Sequence, residues 1–118
     1  INYFLVSLFQ MDAESIRKYA LALPGVQESF PFDETTLVFK VDNKIFLLLA
    51  LDEIPLRFNA KCQPDEAIEL RENFPQSIIP GYHMNKKHWN TIIVNGNLKP
   101  SLIKDLIEKS YKLVQKIK

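Results

Sequence analysis

The sequence predicts an α+β domain built as a two-layer sandwich, in which the helices cover one face of an antiparallel sheet. Its length of 118 residues suits a single domain, and its composition, 47% apolar and 25% charged, is that of an ordinary globular protein. The patterned segments follow the order helix, three strands, helix, two strands, helix (α-β3-α-β2-α). Short polar turns join consecutive strands, so neighbouring strands pair antiparallel and three amphipathic helices can share one sheet face.

The first helix is predicted over residues 12–23. Asp12 is a favourable N-cap residue, and Ile16 and Ala20 belong to an apolar face at helical spacing. Pro24 and the glycine that follows it end the pattern.

Three strands are predicted next, over residues 36–41, 45–51 and 55–61. The first and the third alternate apolar and polar side chains, as strands with two different faces do. The second is a continuous apolar run, which is typical of a central strand covered on both faces or of a strand whose outer face meets a partner.

The remaining elements are a helix, two strands and a final helix. A helix of about ten residues is predicted to begin at Pro64, because proline is tolerated in a first turn. Strands follow over residues 78–82 and 88–94, linked by residues 83–87, and the last helix covers residues 100–117. The predicted inner face of that helix consists of Leu102, Ile103, Leu106, Ile107, Leu113, Val114 and Ile117.

The first ten residues and the single cysteine indicate where the domain begins and in which cellular compartment it is expected. Residues 1–10 are uncharged, too short for a membrane span and without signal-peptide features, so no membrane association is predicted. Met11 is predicted to begin the single domain, residues 11–118, with residues 1–10 as an upstream extension; an edge strand is the alternative. Cys62 alone forms no intramolecular disulfide, which fits a reducing, cytoplasmic location.

The sheet face opposite the helices is predicted to be open. Three of its six expected side chains are basic and none is acidic, which favours either an anion-binding face or a merely solvated one. The chain is nearly neutral, but residues 81–118 carry eight Lys and only two acidic residues. The expected open-face side chains are Thr36, Val38, Lys40, Arg57, Asn59 and Lys61.

Residues 79–91 are the densest polar and aromatic segment of the chain. Two adjacent lysines there can contact phosphates, and the aromatic side chains and histidines can stack on bases. The asparagines can read base edges or satisfy a turn, and strand alternation makes Trp89 a candidate for the core as well. The candidate contacts in this segment are Tyr82, His83, Asn85, Lys86, Lys87, His88 and Trp89.

Motifs for catalysis, metals and cofactors are not found in the sequence. The two histidines lie five residues apart without a second ligand pair, so no metal site is predicted. The sequence contains no phosphate-binding loop, no dinucleotide fingerprint and no nucleophile elbow, so neither a cofactor nor a catalytic residue is predicted.

Five stretches carry a family resemblance, and the strongest is Pro80-Gly81-Tyr82-His83-Met84-Asn85-Lys86-Lys87-His88-Trp89-Asn90-Thr91. The others are Leu23-Pro24-Gly25-Val26 with Glu28-Ser29-Phe30-Pro31-Phe32, Val38-Phe39-Lys40-Val41 with Lys44-Ile45-Phe46, Lys61-Cys62, and Ser110-Tyr111-Lys112-Leu113-Val114. On these motifs the chain resembles the MmcQ/YjbR-like family over about residues 12–116. The resemblance implies one domain of the YjbR-like fold, of the α-β3-α-β2-α type, and DNA binding through a double-wing arrangement. It implies no enzymatic activity.

Three functions remain open from the sequence. The first is DNA binding by the 82–89 segment with support from the three basic open-face residues, which requires that the loop between the last two strands stand out into water. The second is a protein-interaction or chaperone-like module, including a homodimer, that uses the open sheet face. The third is an enzyme or small-ligand site built on Tyr82, His83 and His88.

Overall fold

The computed structural model describes residues 11–116, and within them three helices cover one face of a six-stranded sheet. The elements in chain order are α1 (Ala13–Ala22), β1 (Gln27–Ser29), β2 (Thr36–Val41), β3 (Lys44–Ala50), β4 (Leu56–Lys61), α2 (Pro64–Asn73), β5 (Ile78–Pro80), β6 (Trp89–Val94) and α3 (Pro100–Val114). The predicted α+β fold class is confirmed, with one strand more than expected before α2. The predicted extension at residues 1–10 and its edge-strand alternative lie outside the described residues.

The sheet is antiparallel throughout, with the strand order β1-β2-β3-β4-β6-β5. Strands β1 to β4 follow one another as a meander, whereas β6 pairs with β4 and leaves β5 at the edge. Lys61 at the end of β4 lies opposite Trp89 at the start of β6. The connection from β5 to β6 therefore lies at the end of the sheet where β4 ends.

Strand β1 was not predicted, because its sequence, Gln27–Ser29, has no apolar alternation. Its pairing with β2 and a contact with α1 define it instead. Arg17 of α1 donates to both carboxylate oxygens of Glu28, at 2.7 and 2.6 Å. These bonds hold the pKa of Glu28 below its usual range. The strand is thus fixed by partners that are distant in sequence.

The core lies between the sheet and the helices and includes a β-bulge. Phe39 pairs with Leu47 and Lys40 pairs with Ile45, so Phe46 has no register partner on β2. Phe46 and Leu47 are both fully buried in the core, although they are consecutive residues. The continuous apolar run of β3 is therefore explained by the bulge and by half-buried side chains on the other face.

Helix α3 supplies the largest helical contribution to this core, but it differs from the prediction in two respects. Leu113, predicted on the inner face, is 37% exposed. Ser110 and Tyr111 are buried instead, and the Ser110 hydroxyl accepts from Lys61 N at 2.8 Å and donates to Phe46 O. The helix ends at Val114, and Ile117 lies outside the described residues. No helix within residues 11–116 is long and apolar enough to cross a membrane.

The predicted N-cap of α1 is confirmed, and it carries a pH-dependent part of the stability. Asp12 Oδ1 accepts from the Ser15 hydroxyl at 2.7 Å and from Ser15 N at 2.8 Å. Both bonds favour the carboxylate, so they lower the pKa of Asp12 below its ordinary value of 3.8. Because the pKa of Asp12 is lower in the folded state, the carboxylate stabilises the protein at pH values above its ordinary pKa. This stabilisation is lost as the pH falls through the lowered folded-state pKa.

We expect Asp12→Ala to reduce the free energy of unfolding by about 1 kcal/mol at pH 7, because the cap is lost. The difference from wild type should shrink at pH 3, where the wild-type carboxyl begins to protonate. Urea unfolding at the two pH values measures this. Asp12→Asn keeps a capping oxygen and should behave like wild type at pH 7; an equal loss in both variants at both pH values would contradict the capping explanation.

Candidate nucleic-acid interface

The connection between β5 and β6, residues 81–88, is called the β5–β6 loop below. Arg71 of α2 fixes its second half: the guanidinium donates to Asn90 Oδ1 at 2.6 Å, to Lys86 O and to Trp89 O. Asn90 is buried and donates in turn to Ala67 O, also on α2. A planar guanidinium suits this role because its several donors have fixed directions. The loop is thereby attached to a helix as well as to its strands.

The loop is also closed by contacts of its own. Lys87 N donates to Asn85 Oδ1 at 2.9 Å, and Trp89 N donates to Asn85 O at 3.0 Å. Gly81 N donates to Trp89 O at 2.9 Å, and a Cβ at Gly81 would come within 2.8 Å of Trp89 Cβ. Glycine at this position is therefore required by the close approach of the two strands. The side-chain oxygen of Asn85 serves the turn, which was one of the two roles predicted for it.

The first half of the loop lies against the sheet face opposite the helices. Tyr82 N donates to Thr91 Oγ1 at 2.9 Å, and Asn59 Nδ2 donates to Tyr82 O at 3.4 Å. Thr91 Oγ1 also donates to Asn59 Oδ1, which closes a small polar network on β4 and β6. Both backbone polar groups of Tyr82 are thus bonded to the sheet, and its side chain is left 66% exposed.

The expectation of a fully open sheet face is wrong. Val38 has 0% exposure, and the other five side chains expected there are half-buried. One reason is the polar network, through which the β5–β6 loop covers part of β4 and β6. Val38 is on β2, the second strand of the sheet, and pairs with Ser29 of β1 on one side and Leu48 of β3 on the other. Hydrogen bonds between a loop and a sheet face are not visible in strand alternation.

The two adjacent loop lysines are exposed and form no ion pair within the described residues, unlike two lysines of α3. Lys86 and Lys87 are exposed and have no acidic partner within residues 11–116, although Lys86 Nζ donates to Gly81 O at 3.1 Å. By contrast, Lys109 lies 3.4 Å from Glu66, and Lys112 lies 3.5 Å from Glu108. The loop thus presents two cations whose charge is not offset locally.

The remaining predicted cations are spread along the sheet. Lys61 lies directly opposite Trp89, which is half-buried and is not part of the core. Arg57 lies towards the other end of β4, and its Nε is 3.6 Å from Glu53 Oε1. Lys40 is on β2, two strands from β4. The structure therefore groups Lys61 and Trp89 at the loop end of the sheet and separates Arg57 and Lys40 from them.

Tyr82 and His83 form an exposed aromatic pair on the loop. Their ring centroids are 4.0 Å apart with planes tilted by 53°. His83 has a φ of 57°, in the left-handed region where few residues other than glycine occur. His88 is half-buried, and its carbonyl accepts from Cys62 N at 2.7 Å, so the two histidines have different environments.

Beside this pair is an open groove of about 740 Å³ on the sheet face. Sequence reasoning identified Arg57, Tyr82 and His83 but missed the contribution of the loop before β2 and of the turn after β3. The residues of these two turns form no sequence pattern that predicts a site. They come together only because the fold places both turns at one end of the sheet. The groove is lined by Phe32, Asp33, Thr35, Thr36, Leu48, Ala50, Asp52, Glu53, Arg57, Phe58, Asn59, Tyr82, His83, Met84 and Thr91.

The Cys62 thiol and the metal-ligating side chains are two further features of the described residues. Burial raises the pKa of the Cys62 thiol, and nearby Glu66 adds to the effect, so the thiolate is disfavoured. Among residues 11–116, no group of three or more His, Cys, Asp or Glu side chains is placed to hold a metal ion.

Comparison with known proteins gives one consistent group of relatives. A model of the YjbR family matches residues 21–113. The chain is 39% identical over 102 residues to the protein YbdF of Escherichia coli O157:H7, covering 86% of this chain and 82% of that one. It is 30% identical over 101 residues to the protein YjbR of Escherichia coli strain K12, covering 86% of this chain and 85% of that one.

Solved structures agree with this grouping. The Deinococcus radiodurans protein DR2400 is 41% identical, with a TM-score of 0.84 over 89% of this chain and 78% of that one. A crystal structure of a Pseudomonas syringae protein is 28% identical, with a TM-score of 0.76 over 89% of this chain and 100% of that one. The similarity therefore extends to the fold and to most of the chain's length.

Proposed function

The chain belongs to the YjbR family, and from that premise we propose that it binds DNA, with the β5–β6 loop as the main contact. The resemblance noted from the sequence connects this family with DNA binding. The proposal includes no catalytic step. It assigns phosphate contacts to Lys86 and Lys87 of the loop and to Lys61 beside Trp89.

The observation that carries the proposal is the pair of exposed loop lysines on a backbone held by α2. Within the described part of the chain, Lys86 and Lys87 are adjacent in sequence, exposed and without a carboxylate partner. Lys86 Nζ bonds only to a carbonyl, so two of its three donors remain for a phosphate. Because Arg71 and Asn85 fix the loop backbone, little backbone conformational entropy is lost when the lysines meet a ligand.

The surrounding sequence favours the same ligand. No Asp or Glu occurs between residues 73 and 104, so the loop and both strands that carry it lack acidic side chains. A region of one sign of charge attracts a polyanion over a distance of about 10 Å at 0.1 M salt. The Tyr82–His83 pair adds exposed aromatic surface next to these cations.

Fluorescence anisotropy with a labelled DNA oligonucleotide at several salt concentrations tests the proposal. Neutralising phosphates releases counterions, so the logarithm of the affinity should fall linearly with the logarithm of the salt concentration. We expect Lys86→Ala/Lys87→Ala to weaken binding and to reduce the salt slope by about one to two units.

The control removes the same charge from two helices that do not carry the loop. Lys18→Ala/Lys104→Ala changes two lysines on α1 and α3, on the helix layer, and should leave the slope within about half a unit of wild type. Equal changes in both double variants would indicate a nonspecific charge effect and would refute the assignment to the loop.

A second candidate function, a protein-interaction module, is favoured by a different observation. Phe30, Phe32, Leu51 and Ile54 are large apolar side chains that are exposed. They lie on the loop before β2 and on the turn after β3, which are joined by the bond from Leu51 N to Thr35 O at 2.8 Å. Clustered apolar exposure of this kind is common at contact surfaces, including those of homodimers.

A further inference from the structure

We propose that the groove on the sheet face accepts one unpaired nucleobase, so that the preferred ligand is single-stranded DNA. This inference rests on the proposed DNA binding and specifies the form of DNA. It assigns stacking to Tyr82 with His83, hydrogen bonding to the polar side chains of the groove, and the phosphate backbone to the lysines of the β5–β6 loop.

The size and the floor of the groove suit a planar ring. Its volume of about 740 Å³ lies within the range of roughly 300–1,000 Å³ that is common for small-molecule sites. Leu48 and Ala50 of β3 form an apolar floor, and Phe32 and Tyr82 rise beside it with 66% exposure each. When a flat ring covers an exposed aromatic side chain and an apolar floor, apolar surface is buried and the two rings stack, which favours binding.

Tyr82 is held ready for stacking before any ligand arrives. Its N–H is bonded to Thr91, its carbonyl to Asn59, and its ring lies against that of His83. The backbone that carries the ring is therefore fixed by the sheet, while the outer surface of the ring stays open to solvent. Single-stranded nucleic acids are commonly bound on such aromatic platforms, because every base has a π-face.

The hydrogen-bonding groups of the groove include both donors and acceptors. Arg57 is a donor only, and its Nε is buried with no hydrogen-bond partner within the described residues, since Glu53 is 3.6 Å away. Glu53 and Asp52 are acceptors, and Asn59 lies two residues from Arg57 on the same face of β4. A nucleobase is neutral, planar and carries donors and acceptors on its edges, which matches this mixed set.

The charges around the groove also determine how a DNA strand would be oriented. Asp33, Asp52 and Glu53 line the groove together with Arg57, so a phosphate inside it would meet net negative charge. Asp33 stays ionised, because hydrogen bonds from Thr36 N and Thr35 N lower the pKa of its carboxyl. Phosphates are thus disfavoured in the groove and favoured at Lys86 and Lys87, so a base enters while its backbone stays outside.

Pairing state decides whether a base can enter. In a duplex, the edges that would reach Arg57 and Glu53 are engaged with the opposite base, and both faces are stacked on neighbours. Extruding a base from a duplex costs unstacking and unpairing energy, and a single strand avoids most of that cost. The groove should therefore discriminate between the two forms, whereas lysine contacts with phosphates alone should not.

The test compares a labelled 12-nucleotide single strand of mixed sequence with its duplex, by anisotropy at one fixed salt concentration. We expect wild type to bind the single strand more tightly. Tyr82→Ala should weaken single-strand binding about 5- to 150-fold, the range for loss of a stacking aromatic side chain, and should change duplex binding less than about 2-fold. Tyr82→Phe keeps the ring and should retain most of the single-strand affinity.

Each outcome separates this inference from the proposed function. Equal affinity for both DNA forms, or Tyr82→Ala weakening both equally, overturns the base-binding groove and leaves DNA binding by the loop in place. Absence of binding to either form overturns both. Tyr82 contributes its backbone, not its side chain, to the polar network, so Tyr82→Ala should fold; circular dichroism of the variant checks this.

Discussion

Replacing Phe46 with alanine should lower the free energy of unfolding by about 3–5 kcal/mol, the cost typical of deleting a buried phenylalanine ring. Phe46 is 0% exposed, and its ring meets that of Tyr111 edge-on with centroids 5.5 Å apart. Its backbone carbonyl accepts the bond from Ser110 of α3, so the same residue joins β3 to that helix twice. Removing the ring leaves a cavity between the sheet and α3 that the bulged strand cannot close easily.

Urea unfolding at pH 7 measures this loss, and Phe32→Ala is the matched control. It deletes the same side chain from a position that is 66% exposed, so we expect a change of less than about 0.5 kcal/mol. If the two variants lost similar stability, the burial of the Phe46 ring would not explain the loss.

The second large effect is expected at Arg71, although this residue lies on α2 and outside the loop. Arg71→Met should cost about 2–4 kcal/mol, because it removes charge-assisted hydrogen bonds and leaves the buried Asn90 Oδ1 without its donor. It also releases Lys86 O, whereas Trp89 O keeps its bond from Gly81 N. DNA affinity should fall as well, because the backbone that carries the loop lysines loses its contact with α2.

Two variants distinguish positioning from charge. Arg71→Lys keeps the positive charge but lacks the planar set of donors, so it should recover only part of the stability and of the DNA affinity. Glu72→Met changes the exposed neighbour on the same helix and should alter stability by less than about 0.5 kcal/mol. Full recovery of both properties by Arg71→Lys would show that Arg71 acts through its charge alone.

The regular elements were predictable where a local pattern coincided with a buried face. Residues 36–41 alternate in sequence and form a strand with those bounds, and α2 begins at Pro64 as expected. Strand β1 was missed because its partners, β2 and Arg17, are recognised only in three dimensions. Leu113 was wrongly assigned to the inner face. Helical spacing predicts an apolar face, but it does not predict which residues at the edge of that face contact the sheet.

The candidate site was predictable in composition but not in arrangement. The 82–89 segment was identified from its lysines and aromatic residues, and Lys86 and Lys87 are exposed. The loop was expected to stand out into water, but its first half lies against the sheet. Arg71 could not be found this way, since nothing local distinguishes it from other helix-surface arginines. Its role appears only when Lys86 O and Asn90 lie within reach of one guanidinium.

Periodicity and turn residues alone determined the α+β class, the helices and most of the strands, because these depend on whether each side chain enters water or the core. Only the tertiary structure decided that the β5–β6 loop lies across the sheet, that Val38 is buried and that a groove forms beside Tyr82. The position of the loop depends on single hydrogen bonds between distant segments, such as Tyr82 N to Thr91, and such bonds leave no repeating signal in the sequence.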